Sequence, residues 1–369
     1  MELFAEKNQC CGCMACADIC PKGAISARAD REGFWYPEIR QELCVDCGQC
    51  AAVCPLSGGK SEKRSRRYFA AQAKDPALRG VSTSGAMFPI LAEQVLEGGG
   101  AVYGAAFDGA MRVAHRRAAG REELEPLLQT KYVQSSTAGI FRRVRQDLAE
   151  GRQVLFVGTP CQTEALRRFC PEKAPGLVLA DLICYGVPSP GVWERYVSHL
   201  EKKHRGRLTA FHFRDKRKGN DGHTVSYTAG GQEYVKDYLA DLFSAMYFSN
   251  LMHRPSCHSC PFTTVERNSD LTIGDFWGVE KVFPEWNDGM GTSLVIVHSE
   301  RGQALWDRVC GRLRWGECQK EDVLQPRLLS PTQPASKRGR FFALYRALPF
   351  GLFLKLFQHH KVRRFLYAE

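Results

Sequence analysis

The feature that most restricts this chain is a cysteine code written twice between residues 10 and 55. The first run is Cys10-Cys11-Gly12-Cys13-Met14-Ala15-Cys16-Ala17-Asp18-Ile19-Cys20-Pro21, and the second is Cys44-Val45-Asp46-Cys47-Gly48-Gln49-Cys50-Ala51-Ala52-Val53-Cys54-Pro55. Each fits C-x2-C-x2-C-x3-C-P without a gap. A 4Fe-4S cubane takes four thiolates at the corners of a tetrahedron. Two-residue spacers wrap a tight loop that aims three sulfurs and several N–H groups at one cluster, while the fourth cysteine leaves on a short helix and serves the other cluster. The crossover predicts Cys10, Cys13, Cys16 and Cys54 around one cluster, and Cys44, Cys47, Cys50 and Cys20 around a second. Ile19, Ile25, Val45 and Val53 are expected to line the dry space between them, Pro21 and Pro55 to turn the chain outward, and Cys11 to be a bystander thiol. Four thiolates also suit zinc. Zinc ligands usually come as two well-separated pairs, however, and two proline-terminated runs of four do not read that way.

Sixteen cysteines in 369 residues would fit a disulfide scaffold only in a short secreted chain. This chain is long and starts Met1-Glu-Leu-Phe-Ala-Glu-Lys7 with no apolar run. A cytoplasmic address is therefore expected, where clustered thiols bind metal. The apolar stretches fall short of the roughly 18 residues that a membrane span needs. The net charge of +11 gathers in Lys60–Arg67 and in the tail after Ser336, which holds eight Lys or Arg and one acid, Glu369. A solvated linker and a solubilising tail are the plain reading, with docking of an acidic protein or an anionic cofactor as the other. A nucleic-acid binder rests on charge alone.

Near Tyr68 the pattern becomes mixed. Gly85 to Leu96 reads as a helix stopped by Gly98-Gly99-Gly100, and Ala101 to Phe107 as a strand. Thr137–Glu150 and Gln162–Phe169 read as helices; Gln153–Val157 and Leu177–Cys184 read as buried strands. Leu208–Arg214, His223–Thr228 and Ser293–His298 look like further strands of a mixed sheet. The fold class is therefore α+β, a small two-cluster ferredoxin domain followed by a mixed α/β domain. The expected divisions are the ferredoxin domain at residues 1–59, a basic linker at 60–68, two parts of the larger domain at 69–150 and 151–335, and a basic apolar tail at 336–369. That tail, with Phe341 to Phe357, suits a helix lying in a membrane interface. Pro349 and Gly351 interrupt it, and docking on its own domain is favoured.

Four later cysteines need explaining. Cys161 follows Val157-Gly158-Thr159-Pro160 at a strand-to-helix turn, where helix N–H groups favour a thiolate. Cys184 ends a strand, and Cys257 and Cys260 form a C-x2-C. Strand ends of one parallel sheet share an edge, so these thiols can meet in a third metal site; a catalytic thiol at Cys161 and plain buried cysteines are the rivals. Cys170, Cys310 and Cys318 read as structural. Gly80-Val81-Ser82-Thr83-Ser84-Gly85 precedes a helix and suits a phosphate, although a hydroxyl-rich helix cap looks the same.

From about Tyr68 to Arg340 the chain resembles the beta subunits of coenzyme F420-reducing hydrogenase and the related formate dehydrogenase. The resemblance rests on Gly80–Gly85, Lys131-Tyr132-Val133-Gln134-Ser135, Gly158-Thr159-Pro160-Cys161-Gln162, Asp181–Pro188, Phe213-Arg214-Asp215-Lys216, the Cys257/Cys260 pair and Ser269–Gly278. Plant chlorophyll-cycle hydroxymethyl reductases look similar too. The resemblance implies a third 4Fe-4S cluster on Cys161, Cys184, Cys257 and Cys260, beside FAD. The flavin is implied to lie along Ser82, Thr83, Ser84 and Gly85, along Lys131, Tyr132, Val133 and Gln134, and at Gly158, Thr159 and Gln162, with Lys131 supplying positive charge. Unlike its hydrogenase counterpart, this chain carries a fused ferredoxin, which suits electrons taken from a soluble carrier.

The expected function is an iron–sulfur flavoprotein oxidoreductase. It would pass electrons between three 4Fe-4S clusters and FAD, and on to or from a two-electron substrate, the deazaflavin or another small molecule. Its partner would be a redox protein, either a ferredoxin or a dehydrogenase or hydrogenase subunit. The alternative is an electron-transfer subunit with no substrate chemistry of its own. Arg214, Lys216, Arg217 and Lys218 would steer an acidic substrate or form a solvated turn.

Overall fold

The computed structural model describes residues 3–58, 65–170, 174–220 and 224–358; most of the basic Lys60–Arg67 segment, His223 and the end of the tail lie outside them. Each cysteine loop runs into a short helix, α1 (Ala15–Ile19) or α2 (Gln49–Ala52), and an antiparallel hairpin of β1 (Ile25–Ala29) and β2 (Trp35–Ile39) occupies the stretch between them. Both helices are entered through a left-handed residue, Met14 at φ 56° and Gly48 at φ 75°. That sharp turn lets a ligand loop close before a helix begins.

The larger part is built on one eight-stranded sheet. Its strands are β3 (Arg67–Ala73), β4 (Ala101–Phe107), β5 (Val113–Ala118), β6 (Val154–Gly158) and β7 (Leu177–Leu182). A separate antiparallel sheet of β8 (Leu208–Asp215), β9 (Thr224–Ala229) and β10 (Gln232–Asp237) follows, and then β11 (Leu271–Asp275), β12 (Ser293–Val297) and β13 (Leu313–Cys318) complete the large one. Its order is β13-β3-β12-β11-β7-β6-β4-β5, and β4, β6, β7 and β11 run parallel. The expected parts at 69–150 and 151–335 thus share a single sheet, since β4 pairs with β6 and β3 with β12.

Strands buried on both faces need helices on both sides. The helices after the ferredoxin module are α3 (Pro76–Val81), α4 (Met87–Glu97), α5 (Ile140–Ala149), α6 (Pro160–Phe169), α7 (Pro190–His204), α8 (Leu242–Phe248), α9 (Val279–Val282) and α10 (Glu300–Val309). On one face Ile90, Leu91 and Val95 of α4 and Leu305 and Trp306 of α10 pack on Leu155 and Val178. On the other, Phe141 and Val144 of α5 and Leu166 and Phe169 of α6 pack on Val154, Phe156 and Leu179, in a core that also takes in Cys13, Ala15 and Val53 of the ferredoxin module. The module is therefore part of the molecule's core. It also sets where α5 begins: Asp18 accepts the amides of Gly139 (2.8 Å) and Phe141 (3.1 Å), and Thr137 Oγ1 donates to the Cys13 carbonyl (2.6 Å). The helix expected from Thr137 consequently starts at Ile140.

The tail forms α11 (Arg338–Ala347) and α12 (Phe350–Gln358). Phe341, Phe342, Tyr345, Phe353, Leu354 and Phe357 are buried against the core of α7, α8 and the small sheet. Each such side chain contributes about 1.5–3 kcal/mol on burial, so the described part of the tail is docked on its own domain. No helix among the described residues is long and apolar enough to cross a membrane.

Candidate functional site

Parallel strands of an open sheet present their carboxyl ends on one edge, and here that edge carries the chemistry. After β6, Thr159 caps α6 in a capping box: the Thr159 amide donates to Gln162 Oε1 (3.0 Å) and Pro160 takes the first helical position. This sets Cys161 beside the Thr159 hydroxyl, 3.2 Å away. After β7 the chain leaves the sheet at Leu182 rather than at Cys184, and Gly186 at φ 114° turns it tightly past His253. The Gly186 amide donates to Cys184 Sγ and the Val187 amide to Cys257 Sγ, each at 3.4 Å. Cys161, Cys184, Cys257 and Cys260 line one hollow, together with Leu56, Tyr185 and Phe262.

Cys11 lines that hollow as well and is buried. The side chain expected to be a bystander faces Cys161 on one side and Cys13 on the other. Two further thiol groups stand in the ferredoxin module. Cys20, Cys44, Cys47 and Cys50 line a second hollow with Ile25, Ile39, Leu43 and Val45. Cys10, Cys13, Cys16 and Cys54 form a third group, in which Cys10 feels Cys54 electrostatically and Cys16 feels Cys10, Cys54 and, more weakly, Cys50. Each group takes one cysteine from the other run, Cys20 in the second and Cys54 in the third. Val45, expected inside, is 57% exposed, because its loop lies on the outer side of the module with Cys47, which is also exposed.

The thiols surround hollows, and no three His, Cys, Asp or Glu side chains among the described residues are arranged to hold one metal ion. Burial and neighbouring thiols push Cys16 and Cys184 up to about 12 and Cys260 to about 11. Thiolates there need a cation beside them, which cluster iron supplies. Backbone N–H groups aimed at sulfur complete a donor set that fits an iron–sulfur cluster.

Next to the Cys161 hollow lies a cavity of about 420 Å³, and the two share Thr159, Cys184, Tyr185, Gly186 and Val187. Ser82, Thr83, Ser84, Lys131, Tyr132, Val133, Gly158, Thr159 and Gln162 line it, as does the first turn of α4. Ser82 Oγ is buried with no hydrogen-bond partner among the described residues. Ser84 and Gln129 on the wall have φ of 52° and 64°, the left-handed strain that accumulates where backbone must meet a ligand. A hydroxyl without a partner, a helix amino end and the stacked rings of Tyr132 and Tyr247 (4.9 Å, 22°) fit a flavin nucleotide.

Gly85 and Gln134 lie elsewhere. An added Cβ on Gly85 would come 2.1 Å from the Ala71 carbonyl oxygen, so its smallness serves the contact of the loop with β3. Gln134 turns toward the ferredoxin module and donates to the Cys11 carbonyl (2.9 Å). Lys131 lines the cavity, but its ammonium donates to the carbonyls of Pro126, Leu128 and Gln129, so its charge is spent on its own loop. Burial pulls it down to about 7. Of the basic group after β8, Arg214 reaches the cavity, where it pairs with Asp275 (2.5 Å). Lys216 donates to the carbonyls of Arg79, Ser84 and Met290, and Arg217 pairs with Asp215 and Glu233. Nothing in the sequence marks Asp275 as Arg214's partner, and nothing marks His115. That ring is buried on the cavity wall, stacked on Phe156 and pushed down to about 4 by burial.

Residues 151–319 match the carboxyl-terminal part of the family described as coenzyme F420 hydrogenase/dehydrogenase, beta subunit, and residues 9–57 match the 4Fe-4S dicluster domain. One subunit of the F(420)H(2) dehydrogenase of Methanosarcina mazei is 22% identical over 327 residues, covering 82% of this chain and 83% of its own. An uncharacterized ferredoxin of Methanocaldococcus jannaschii is 36% identical over 57 residues, 15% of this chain and 73% of that protein. A solved chain from the F420-reducing NiFe hydrogenase complex of Methanosarcina barkeri has a TM-score of 0.46 at 17% identity, over 78% of this chain and 89% of that one. Residues 151–319 thus carry the carboxyl-terminal domain found in coenzyme F420 hydrogenase/dehydrogenase beta subunits, and residues 9–57 carry a 4Fe-4S dicluster domain.

Proposed function

We propose that this protein is a flavin-dependent iron–sulfur oxidoreductase with three 4Fe-4S clusters and one FAD. Cys20, Cys44, Cys47 and Cys50 hold the outer cluster. Cys10, Cys13, Cys16 and Cys54 hold the middle one, and Cys161, Cys184, Cys257 and Cys260 the inner one. FAD occupies the cavity beyond Cys184. When bound, the clusters supply one-electron steps and the flavin a two-electron one. The observation that carries the reading is the line of thiol groups, from exposed Cys47 inward past Cys16 and Cys11 to Cys184 on the cavity wall.

The chain's own residues bind, orient and dry this path. Phe262, Leu56 and Tyr185 keep water from the inner hollow, and the Gly186 and Val187 amides hold two of its sulfurs. Ser82 and the first turn of α4 take the flavin's phosphates, and the Tyr132–Tyr247 stack offers a flat face to a ring system. Arg214, held by Asp275, places guanidinium N–H groups on the cavity wall as donors for a polar substrate such as a deazaflavin. The donor is a one-electron carrier or a partner protein that meets the chain near Cys47.

Cys257→Ser tests the scheme. It should remove roughly four irons per chain, leave the ferredoxin-type spectrum in place and stop flavin reduction by dithionite-reduced ferredoxin. Unchanged iron and unchanged flavin reduction would refute it. The Methanosarcina mazei relative is by name a subunit, which favours a second reading as a relay to a partner enzyme. Carrier reduction with no turnover of deazaflavin or of any other two-electron acceptor by the isolated chain would select that reading.

A further inference from the structure

Arg254 is fully buried, at 0% exposure, where the ferredoxin module meets the larger domain. Its Nε donates to the Cys10 carbonyl (2.8 Å), one terminal nitrogen to Gln134 Oε1 (3.1 Å), and the other to the Trp35 carbonyl (3.0 Å) and to Cys10 Sγ (3.7 Å). The guanidinium lies over the rings of Tyr36 (4.1 Å) and Phe34 (5.4 Å). Its main chain is tied to the other thiol group: the Arg254 amide donates to the Val187 carbonyl, and its carbonyl accepts the Cys257 amide, each at 2.9 Å. Gly12 makes room for it, since a Cβ there would come 2.7 Å from a guanidinium nitrogen.

The named partners of this cation are two carbonyls, an amide oxygen, a thiol and two rings, none of them charged. A buried cation without a counter-charge costs several kcal/mol. A cubane held by four thiolates is net negative and supplies that counter-charge from the Cys10 side. We infer that Arg254 is a positioning residue that sets the reduction potential of the cluster held by Cys10, Cys13, Cys16 and Cys54, through a fixed positive charge and an N–H···S bond at Cys10. The inference rests on the ligand assignment proposed above. On reduction that cluster gains one electron from a one-electron carrier, with no proton required. The cation offsets the added charge and so makes the middle cluster easier to reduce.

The test is a potentiometric titration of the anaerobically purified holoprotein, followed by EPR, for wild type, Arg254→Gln and Arg254→Lys. The cluster at Cys20, Cys44, Cys47 and Cys50, farther from Arg254, serves as the internal reference. R254Q should raise the oxidised-to-reduced ratio of the middle cluster at fixed potential about tenfold, a fall of about 59 mV for one electron. The reference cluster should stay where it is, and R254K should restore most of the wild-type value. Full iron content with unmoved potentials in R254Q overturns the inference. If R254Q fails to keep its iron, R254K decides. Iron retained at the wild-type potential supports the charge, whereas loss of iron in R254K as well assigns Arg254 a shape-filling role and overturns it. Failure of the ligand assignment reads out separately, as Cys10→Ser keeping all its iron.

Discussion

Removing Arg267 should destabilise the protein more than any surface charge, because its partner cannot follow it into water. Arg267 and Asp181 are 2.7 Å apart with side chains 3% and 2% exposed. Arg267 also donates to the carbonyls of Leu182 (3.0 Å), Phe262 (3.1 Å) and Thr264 (3.0 Å), tying the loop after Cys260 to the strand end before Cys184. Asp181 accepts from Ser269 (2.8 Å) and Thr272 (2.6 Å). In Arg267→Met the carboxylate keeps those two hydroxyls but loses its counter-charge, and breaking a buried pair this way costs about 3–5 kcal/mol. Urea unfolding of the anaerobic holoprotein, followed by circular dichroism, reads that cost, and iron analysis should show the inner cluster lost first. The double variant R267M/D181N should be less destabilised than the sum of the single changes by about 1–3 kcal/mol. A loss below about 1 kcal/mol in R267M, or strict additivity, would refute the reasoning.

His115 gives a pH prediction. Burial holds its folded value at about 4, below the ordinary 6.5, with Val157 O and Ser135 Oγ as ring partners. On acidification the unfolded chain binds the proton first, so stability present above pH 6.5 is lost as pH falls from 6.5 toward 4, by roughly 3 kcal/mol in total. His115→Gln should flatten that part of the stability–pH curve, and parallel curves for the two proteins would count against it. Gly85→Ala, with its Cβ 2.1 Å from the Ala71 oxygen and 2.8 Å from the Ser293 nitrogen, should cost about 3 kcal/mol or more, read as a lowered thermal midpoint. A wild-type midpoint in that variant would show that the loop has slack.

The grouping of the thiols in the amino-terminal module was legible because a two-residue spacer has few ways to close. The central strands were legible for a similar reason, as Ala101–Phe107 and Val154–Gly158 carry their burial in a local apolar run, whereas Leu208 and the residues after it, expected in the same mixed sheet, form a sheet of their own. The inner thiol group was harder, because Cys161, Cys184 and Cys257 meet only through a sheet edge that the sequence does not draw. Gln134 and Gly85 were placed with the flavin because a motif reports neighbours in the chain, while each side chain obeys its contacts in space. Arg254 left no signal at all. A lone arginine before Pro255 looks like any loop cation, and only the return of Cys10 across 244 positions makes it a buried charge between two thiol groups.

The proposed cofactor content is three clusters and one flavin on one chain. Iron, acid-labile sulfide and FAD counted on the same anaerobically purified sample test it most directly. Three cubanes and one flavin require about twelve irons, about twelve sulfides and about one FAD per chain. About eight irons with no flavin would contradict it, and would leave the four cysteines at the sheet edge without a cluster.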